Sequence, residues 1–135
     1  MKASKATPKW LNDNEALDRR MVSAMSRKDV AGVLSCFVDS PQLNVVLWGT
    51  EMHGPDELRQ ALESLFNRCD TLKLTIDRVS RILSGNVVMA VGRATYTMNG
   101  NGSTTVVGEV WTDVRRRVNG RWVYVLDHAE VLPGI

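Results

Sequence analysis

Residues 104–131 read TTVVGEVWTDVRRRVNGRWVYVLDHAEV, two runs of β-branched, aromatic and apolar residues on either side of Asn119-Gly120. Asn-Gly between two such runs is the strongest short signal for a β-hairpin, because both residues accept the positive φ angles of a tight turn. If the loop has two residues, Val118 lies opposite Arg121, and every further pair follows by counting outward. The stretch therefore predicts a long antiparallel hairpin with a defined register.

The predicted register divides the hairpin into two faces, since cross-strand partners share a face and successive residues alternate between faces. One face is apolar beyond the turn and is predicted to be the core side, with members that include Val110, Thr112, Val125, Asp127 and Ala129. The other face mixes large aromatic residues with charges and is predicted to be the outer surface; its members include Trp111, Trp122, Tyr124, Leu126 and His128.

The first forty residues predict a helical hairpin. Asn12 or Asp13 can cap a helix, which carries an apolar stripe at Leu17, Met21, Ala24 and Met25. Asp29 can cap a shorter helix, and Ser40-Pro41 ends it because the residue before proline avoids the helical conformation.

The middle of the chain predicts a strand, a third helix and then strands only. Residues 43–48 (LNVVLW) are apolar and bounded by turn formers, which favours a buried strand. Pro55, followed by two acids, is typical of a helix start, and this helix is predicted to end near Arg68. Runs at 72–83 and 87–98 predict two further strands.

This order of elements predicts an α+β fold in which three helices pack on one face of a curved, mostly antiparallel sheet. We expect residues 1–9 to form a flexible tail and residues 10–135 to form one domain, because a chain of 135 residues suits a single core.

Composition limits the classes of function. Seventeen basic and 15 acidic residues are spread along the chain, so no field of one sign would recruit nucleic acid. No apolar run approaches the roughly 20 residues of a membrane span, and the start of the chain does not resemble a secretion signal. Cys36 and Cys69 lack metal-site spacing, which favours two buried free thiols in a reducing compartment. We therefore expect a cytoplasmic protein without membrane or nucleic-acid partners.

Three local features, together with the order of elements, resemble the SnoaL-like and ketosteroid-isomerase-like proteins of the nuclear transport factor 2-like superfamily. They are GPDEL at 54–58, VNGRW at 118–122, and Asp127-His128 shortly after. The resemblance extends from about residue 10 to 131. It implies a cone-shaped fold with a pocket between helices and sheet, and a dimer formed through the outer face of the sheet. It does not imply one activity, because the superfamily includes isomerases, cyclases, dehydratases, epoxide hydrolases and non-catalytic binding modules.

The resemblance also identifies what this chain lacks. Val45 stands where a ketosteroid isomerase has its general base, Met21 where it has a tyrosine, and Thr112 where it has a protonated acid. Valine cannot accept a proton, so the usual isomerase machinery is not expected. The sequence also shows no obvious pair of acids with an arginine, as in the epoxide hydrolases, and no two pocket histidines, as in the dehydratases.

Asp127 is the candidate catalytic residue, with Thr112 as its predicted neighbour, because a carboxylate is seldom placed on an apolar face without a partner. Two interpretations stay open: Asp127 transfers a proton, or it orders the strand by bonding Thr112 or a helix end. The apolar pocket around it is predicted to include Met21, Val45, Leu62, Val110, Val125 and Ala129. A few polar groups in an apolar cleft are typical of a ligand site.

Two functions therefore remain. One is binding of a small, largely apolar molecule without chemistry; the other is cofactor-independent isomerase, cyclase or dehydratase chemistry at Asp127. No phosphate-binding loop is visible, and no cofactor is expected. The two histidines are far apart in sequence, and His53 is interpreted as a loop residue, so no metal site is expected either.

The aromatic face of the hairpin predicts a homodimer. Trp111, Trp122, Tyr124, Leu126 and His128 would form a patch that monomers seldom leave exposed. The alternative is that the N-terminal segment, with Trp10, folds back and covers this face.

Overall fold

A computed structural model describes residues 6–133 of the chain. Three helices pack against a curled, six-stranded and mostly antiparallel sheet, which confirms the predicted α+β fold class. The helices are α1 (Lys9–Ser26), α2 (Val30–Leu34) and α3 (Gly54–Asn67). The strands are β1 (Asn44–Leu47), β2 (Thr50–His53), β3 (Thr71–Ser84), β4 (Val87–Gly100), β5 (Ser103–Val118) and β6 (Arg121–Val131).

The strand order is β2-β1-β6-β5-β4-β3, and all neighbours are antiparallel except β1 and β6. This order places β1, which corresponds to the strand predicted at residues 43–48, beside β6, the last strand of the predicted hairpin. None of the helices between residues 6 and 133 combines the length and apolar character that crossing a membrane requires.

The helix starts show which local signals are decisive. Asp29 caps α2 by accepting a hydrogen bond from the Gly32 backbone N–H at 3.0 Å, as predicted. Pro55 lies in the first turn of α3, also as predicted. The predicted start of α1 is wrong, because the helix begins at Lys9 after Pro8 and has no side-chain cap. The helix therefore overlaps the predicted tail, of which residues 1–5 lie outside the described residues.

A short strand after β1 is absent from the sequence prediction. Thr50–His53 pairs with β1 across a turn formed by Trp48 and Gly49, whose φ angles are 51° and 87°. His53, interpreted as a loop residue, is the exposed last residue of β2. The two cysteines, Cys36 and Cys69, are buried and free, as predicted.

The β5–β6 hairpin follows its predicted register only near the turn. Val118 lies opposite Arg121 across Asn119-Gly120, which confirms the two-residue loop. Farther along, Arg115 lies opposite Tyr124 whereas Val114 lies opposite Leu126, so Val125 has no partner. This extra residue is a β-bulge, and beyond it the pairing is shifted by one residue relative to the prediction.

The face predicted as outer is the inner face of β5 throughout. Glu109, Trp111, Asp113 and Arg115 are each no more than 7% exposed, under the helices. On β6, Trp122 and Tyr124 are also inside, but the bulge reverses the alternation, so Asp127 and Ala129 point inward beyond it. Asp127 is thus inside as predicted, although the neighbouring strand has the opposite orientation. The small residues Ala90, Gly92 and Ala94 of β4 continue this inner face.

Candidate functional site

A cavity of about 60 Å³ lies between the helices and the inner face of the sheet. Apolar side chains from α1, β1, α3 and the central strands form most of its wall, among them Met21, Met25, Val45, Leu58, Leu62 and Ala129. Four carboxyl groups, those of Asp18, Glu109, Asp113 and Asp127, also border it, together with the rings of Tyr96, Trp111 and Tyr124. The cavity is therefore an apolar space with an unusually acidic wall.

Arginines balance the negative charges of Asp113 and Asp18. Arg115 is fully buried. Its Nε donates a hydrogen bond of 2.7 Å to Oδ1 of Asp113, and its Nη2 donates one of 3.1 Å to Oδ2. The same guanidinium reaches Asp18 of α1 at 2.9 Å, and Arg81 of β3 reaches Asp18 at 2.6 Å. Tyr124 donates its hydroxyl proton to Oδ1 of Asp18. Two acids and two arginines thus form a balanced network that joins α1 to the sheet.

This network decides the protonation of Asp113. Burial raises the pKa of the Asp113 carboxyl, the Arg115 bonds oppose that rise, and the result is a pKa of about 6. At neutral pH the carboxyl is therefore mostly ionised and held by Arg115.

Asp127 is in a different environment, although it lies directly opposite Asp113 on the neighbouring strand. Among residues 6–133, its side chain has neither a hydrogen-bond partner nor an ion-pair partner. The residue is half-buried and borders the cavity. Burial, followed by the nearby Asp113 and Glu109, raises the pKa of the Asp127 carboxyl well above its usual range. The Asp127 carboxyl therefore keeps its proton to a higher pH than an ordinary aspartate does.

Glu109 is the second acid without a cationic partner. It is 4% exposed, and its Oε2 accepts a hydrogen bond of 2.8 Å from the indole Nε1 of Trp48. Burial raises the pKa of Glu109 to about 7, and the bond from Trp48 only partly opposes this rise. The Trp48 ring also meets Tyr96 edge to face, with centroids 5.1 Å apart.

Several predicted pocket residues lie on the cavity. Met21, Val45, Leu62, Asp127 and Ala129 border it. Val110 does not, because it is on the outer face with 37% exposure, and Val125 is the unpaired residue of the bulge. Thr112 was predicted to face Asp127, which is wrong: it is exposed on the outer face, opposite His128. It cannot bond the Asp127 carboxyl from there.

The predicted interface residues also divide between the two faces. Trp111, Trp122 and Tyr124 are buried inside, with exposures of 7%, 8% and 2%, so their placement on the outer surface is wrong. Leu126 and His128 are exposed on the outer face, where the sequence predicted them.

Sequence reasoning missed Asp18, Glu109, Asp113 and Arg115, and with them an acid pair associated with an arginine. One signal was available: Asp18 belongs to the buried stripe of α1, three residues before Met21 and seven before Met25. A carboxylate on a buried stripe requires a cation, and Arg115 and Arg81 provide it.

One family model and several solved structures match this chain. The family model for the SnoaL-like domain matches residues 19–125. A candidate dehydratase of the NTF2-like family from Streptomyces avermitilis superposes with a TM-score of 0.84 and 15% identity, covering 92% of this chain and 97% of that one. A candidate scytalone dehydratase from Novosphingobium aromaticivorans gives 0.83 and 10%, covering 92% and 85%.

An NTF2-like protein of unknown function from Shewanella oneidensis is 24% identical, with a TM-score of 0.70, covering 89% of this chain and 98% of that one. No curated protein matches the sequence. At these identities the structural neighbours show the fold alone.

Proposed function

The chain belongs to the SnoaL-like domain family, and from this premise we propose that its cavity binds a small, uncharged, largely apolar molecule through a protonated Asp127. The observation that carries the proposal is a half-buried carboxyl group that borders a mostly apolar cavity and has no hydrogen-bond partner among the described residues. A polar group that has lost part of its water costs free energy unless something bonds it. A ligand hydroxyl or carbonyl would satisfy it.

The charge balance supports an uncharged ligand. Among the described residues no arginine or lysine lines the cavity, and Arg81 and Arg115, which bond acids of its wall, are engaged by Asp18 and Asp113. Asp127 and Glu109 hold their protons most readily in an apolar space, which a neutral ligand preserves. The small cavity volume favours a molecule with few atoms, and the flexible side chains of Met21 and Met25 can adapt to its shape.

Phenol and toluene provide a matched pair of probes, because they have similar size and shape but only phenol can bond a carboxyl group. We expect Asp127→Leu to weaken phenol binding by about tenfold, the upper end of a single hydrogen bond, and to leave toluene binding unchanged. Asp127→Asn keeps a polar group but cannot ionise. Isothermal titration calorimetry would measure both ligands, and equal losses for phenol and toluene would contradict the proposed contact.

A second function is favoured by the different environments of two facing acids. Arg115 bonds the Asp113 carboxylate, whereas Asp127 has no cationic partner among the described residues and burial raises its pKa well above the usual range; such a divided pair suits general acid and general base catalysis. We propose cofactor-independent isomerase, cyclase or dehydratase chemistry as the alternative, in which Asp127 gives a proton to the substrate. The fold shared with two candidate dehydratases supports this alternative.

The same Asp127→Asn variant separates binding from catalysis. Proton transfer next to a carbonyl would exchange hydrogen for deuterium in cyclohexanone dissolved in D₂O, which nuclear magnetic resonance detects. If the cavity is catalytic, the wild-type protein accelerates the exchange and the variant does not. If the wild-type protein binds the ligand but does not accelerate the exchange, the result supports the binding function and contradicts the catalytic one.

A further inference from the structure

Trp48 lies behind two residues of the cavity wall and borders a groove on the surface. Its indole contacts two residues of the cavity wall, Glu109 by a 2.8 Å hydrogen bond and Tyr96 by an edge-to-face contact. Trp48 also lines the outer groove, together with Leu65, Met98 and Thr105. The indole therefore supports the Glu109 and Tyr96 part of the wall from the side of the outer groove.

The closed cavity is too small for most organic ligands. Its 60 Å³ is less than half of the roughly 150 Å³ engineered cavity that admits benzene. Typical small-molecule sites enclose several hundred Å³. Any ligand with a ring thus requires part of the wall to move. The side-chain contacts that hold the wall differ in strength from one side of the cavity to the other.

On the side of α1 and β3, the wall is held by the charged network. Asp18 borders both the cavity and the groove between these two elements, and it is fixed by Arg81 at 2.6 Å and Arg115 at 2.9 Å. Opening this side would separate buried ion pairs. On the Trp48 side, a single hydrogen bond from the indole to Glu109 is the only side-chain bond that resists rotation among the described residues.

The backbone at Trp48 is unusual for its residue type. Its φ is 51°, followed by 87° at Gly49, in a two-residue turn between β1 and β2. Turns of this kind favour asparagine, aspartate or glycine at both positions, so local preference does not explain a tryptophan. Strained residues of this kind concentrate at ligand sites. The backbone N–H of Trp48 is bonded to the Ala129 carbonyl at 2.9 Å, so the backbone stays anchored while the indole is free to turn.

We propose that Trp48 is the movable support of the cavity wall at Glu109 and Tyr96 and determines ligand size, so that a ligand longer than the cavity displaces this part of the wall and extends past Trp48 into the outer groove. The inference rests on the proposed binding function and identifies the residue that limits it. The ligand class is an uncharged molecule with a polar end at Asp127 and an apolar ring or chain directed at Trp48.

The test compares phenol with 2-naphthol, which adds a second ring and keeps the hydroxyl. In Trp48→Ala, we expect 2-naphthol affinity to rise at least tenfold relative to phenol, because the second ring no longer has to displace the indole. Trp48→Phe should give an intermediate change and retain an aromatic contact with Tyr96. Trp10→Ala is the control, since Trp10 is also partly buried but lines neither the cavity nor the outer groove.

The outcomes distinguish this inference from the proposed function. A relative affinity that stays the same in Trp48→Ala and Trp48→Phe, while Asp127→Leu still weakens phenol binding, overturns the role of Trp48 and leaves the site intact. If neither probe binds the wild type or either Trp48 variant, the proposed function fails and this inference fails with it. Circular dichroism of each variant identifies any loss of folding, and Trp48→Phe then provides the measurement.

Discussion

At the scale of single residues, the inner face divides its acids according to the cations within reach. Asp18 and Asp113 have Arg81 and Arg115 as partners, whereas Glu109 and Asp127 have none among the described residues. Without a cation, the desolvation of a carboxylate is relieved only by protonation, which is why burial raises the pKa of both. All four side chains are carboxylic acids, and the presence of an arginine partner decides how readily each one ionises.

Glu109 should make the protein less stable as the pH rises from about 4.5 to 7. The folded protein keeps the Glu109 proton up to a pKa of about 7, whereas the unfolded chain releases it near the usual 4.5. Folding therefore binds a proton within this window, and stability falls as the pH rises through it. The loss is about 3 kcal/mol for a shift of this size.

Urea unfolding across that pH range measures the effect in the wild type and in Glu109→Gln. Glutamine preserves an acceptor for the Trp48 indole but does not titrate, so the variant should have a shallower slope. Asp113 and Asp127 contribute in the same direction and leave a residual slope in both proteins. Identical slopes would contradict a raised pKa at Glu109.

At the scale of elements, sequence signals predicted what is decided locally. The Asp29 cap, the Pro55 helix start and the Asn119-Gly120 turn depend on neighbouring residues, and each is where the sequence indicated. The inner face of β5 depends on distant residues instead. Arg115 is tolerated inside because Asp18, 97 residues away, accepts its hydrogen bond. Apolarity alone therefore selected the wrong face of this strand.

The bulge in β6 was equally hidden from sequence patterns. Val123, Val125 and Ala129 continue an apolar alternation that only Asp127 interrupts, and a single polar residue does not reveal an extra residue in the strand. The bulge nevertheless shapes the candidate site. It allows Tyr124 and Asp127, three residues apart, both to face the cavity, where an uninterrupted strand would send one of them outward.

Gly92 of β4 makes room for an inner aromatic residue. It pairs with Trp111, and a Cβ at this position would lie 2.5 Å from the Arg78 carbonyl oxygen and overlap the Trp111 ring. Gly92→Ala should therefore destabilise the protein by about 2 kcal/mol, as overpacking does. Gly108→Ala is the control, because its Cβ would meet only Leu132, at 3.6 Å or more. Equal stability of the two variants in urea unfolding would contradict this account.

At the scale of the whole molecule, the outer face of the sheet is the largest feature that the fold leaves uncovered. Its exposed apolar residues come from β4, β5 and β6 and include Met89, Val91, Val110 and Leu126. A row of paired residues crosses them, with two arginines at one end and an acid at the other: Arg78, Arg93, Val110 and Glu130.

We propose that a second copy of the chain covers this face. A two-fold contact reverses the row, so Arg78 and Arg93 of one copy would approach Glu130 of the other around an apolar centre. The predicted homodimer is thus kept as a proposal, with Leu126 and His128 retained and the buried Trp111, Trp122 and Tyr124 removed from its interface.

Leu126→Glu should convert the dimer to a monomer, because it buries a charge at the apolar centre of each half of the contact. Leu126 is 40% exposed, and Leu83, at 41%, is the matched control. Leu83 lies on the opposite face of the sheet, since it pairs with the fully buried Val88. Analytical ultracentrifugation at micromolar concentration should find Leu83→Glu dimeric and Leu126→Glu monomeric. A monomeric wild type would refute the two-fold contact, and a dimer that survives Leu126→Glu would place the interface elsewhere.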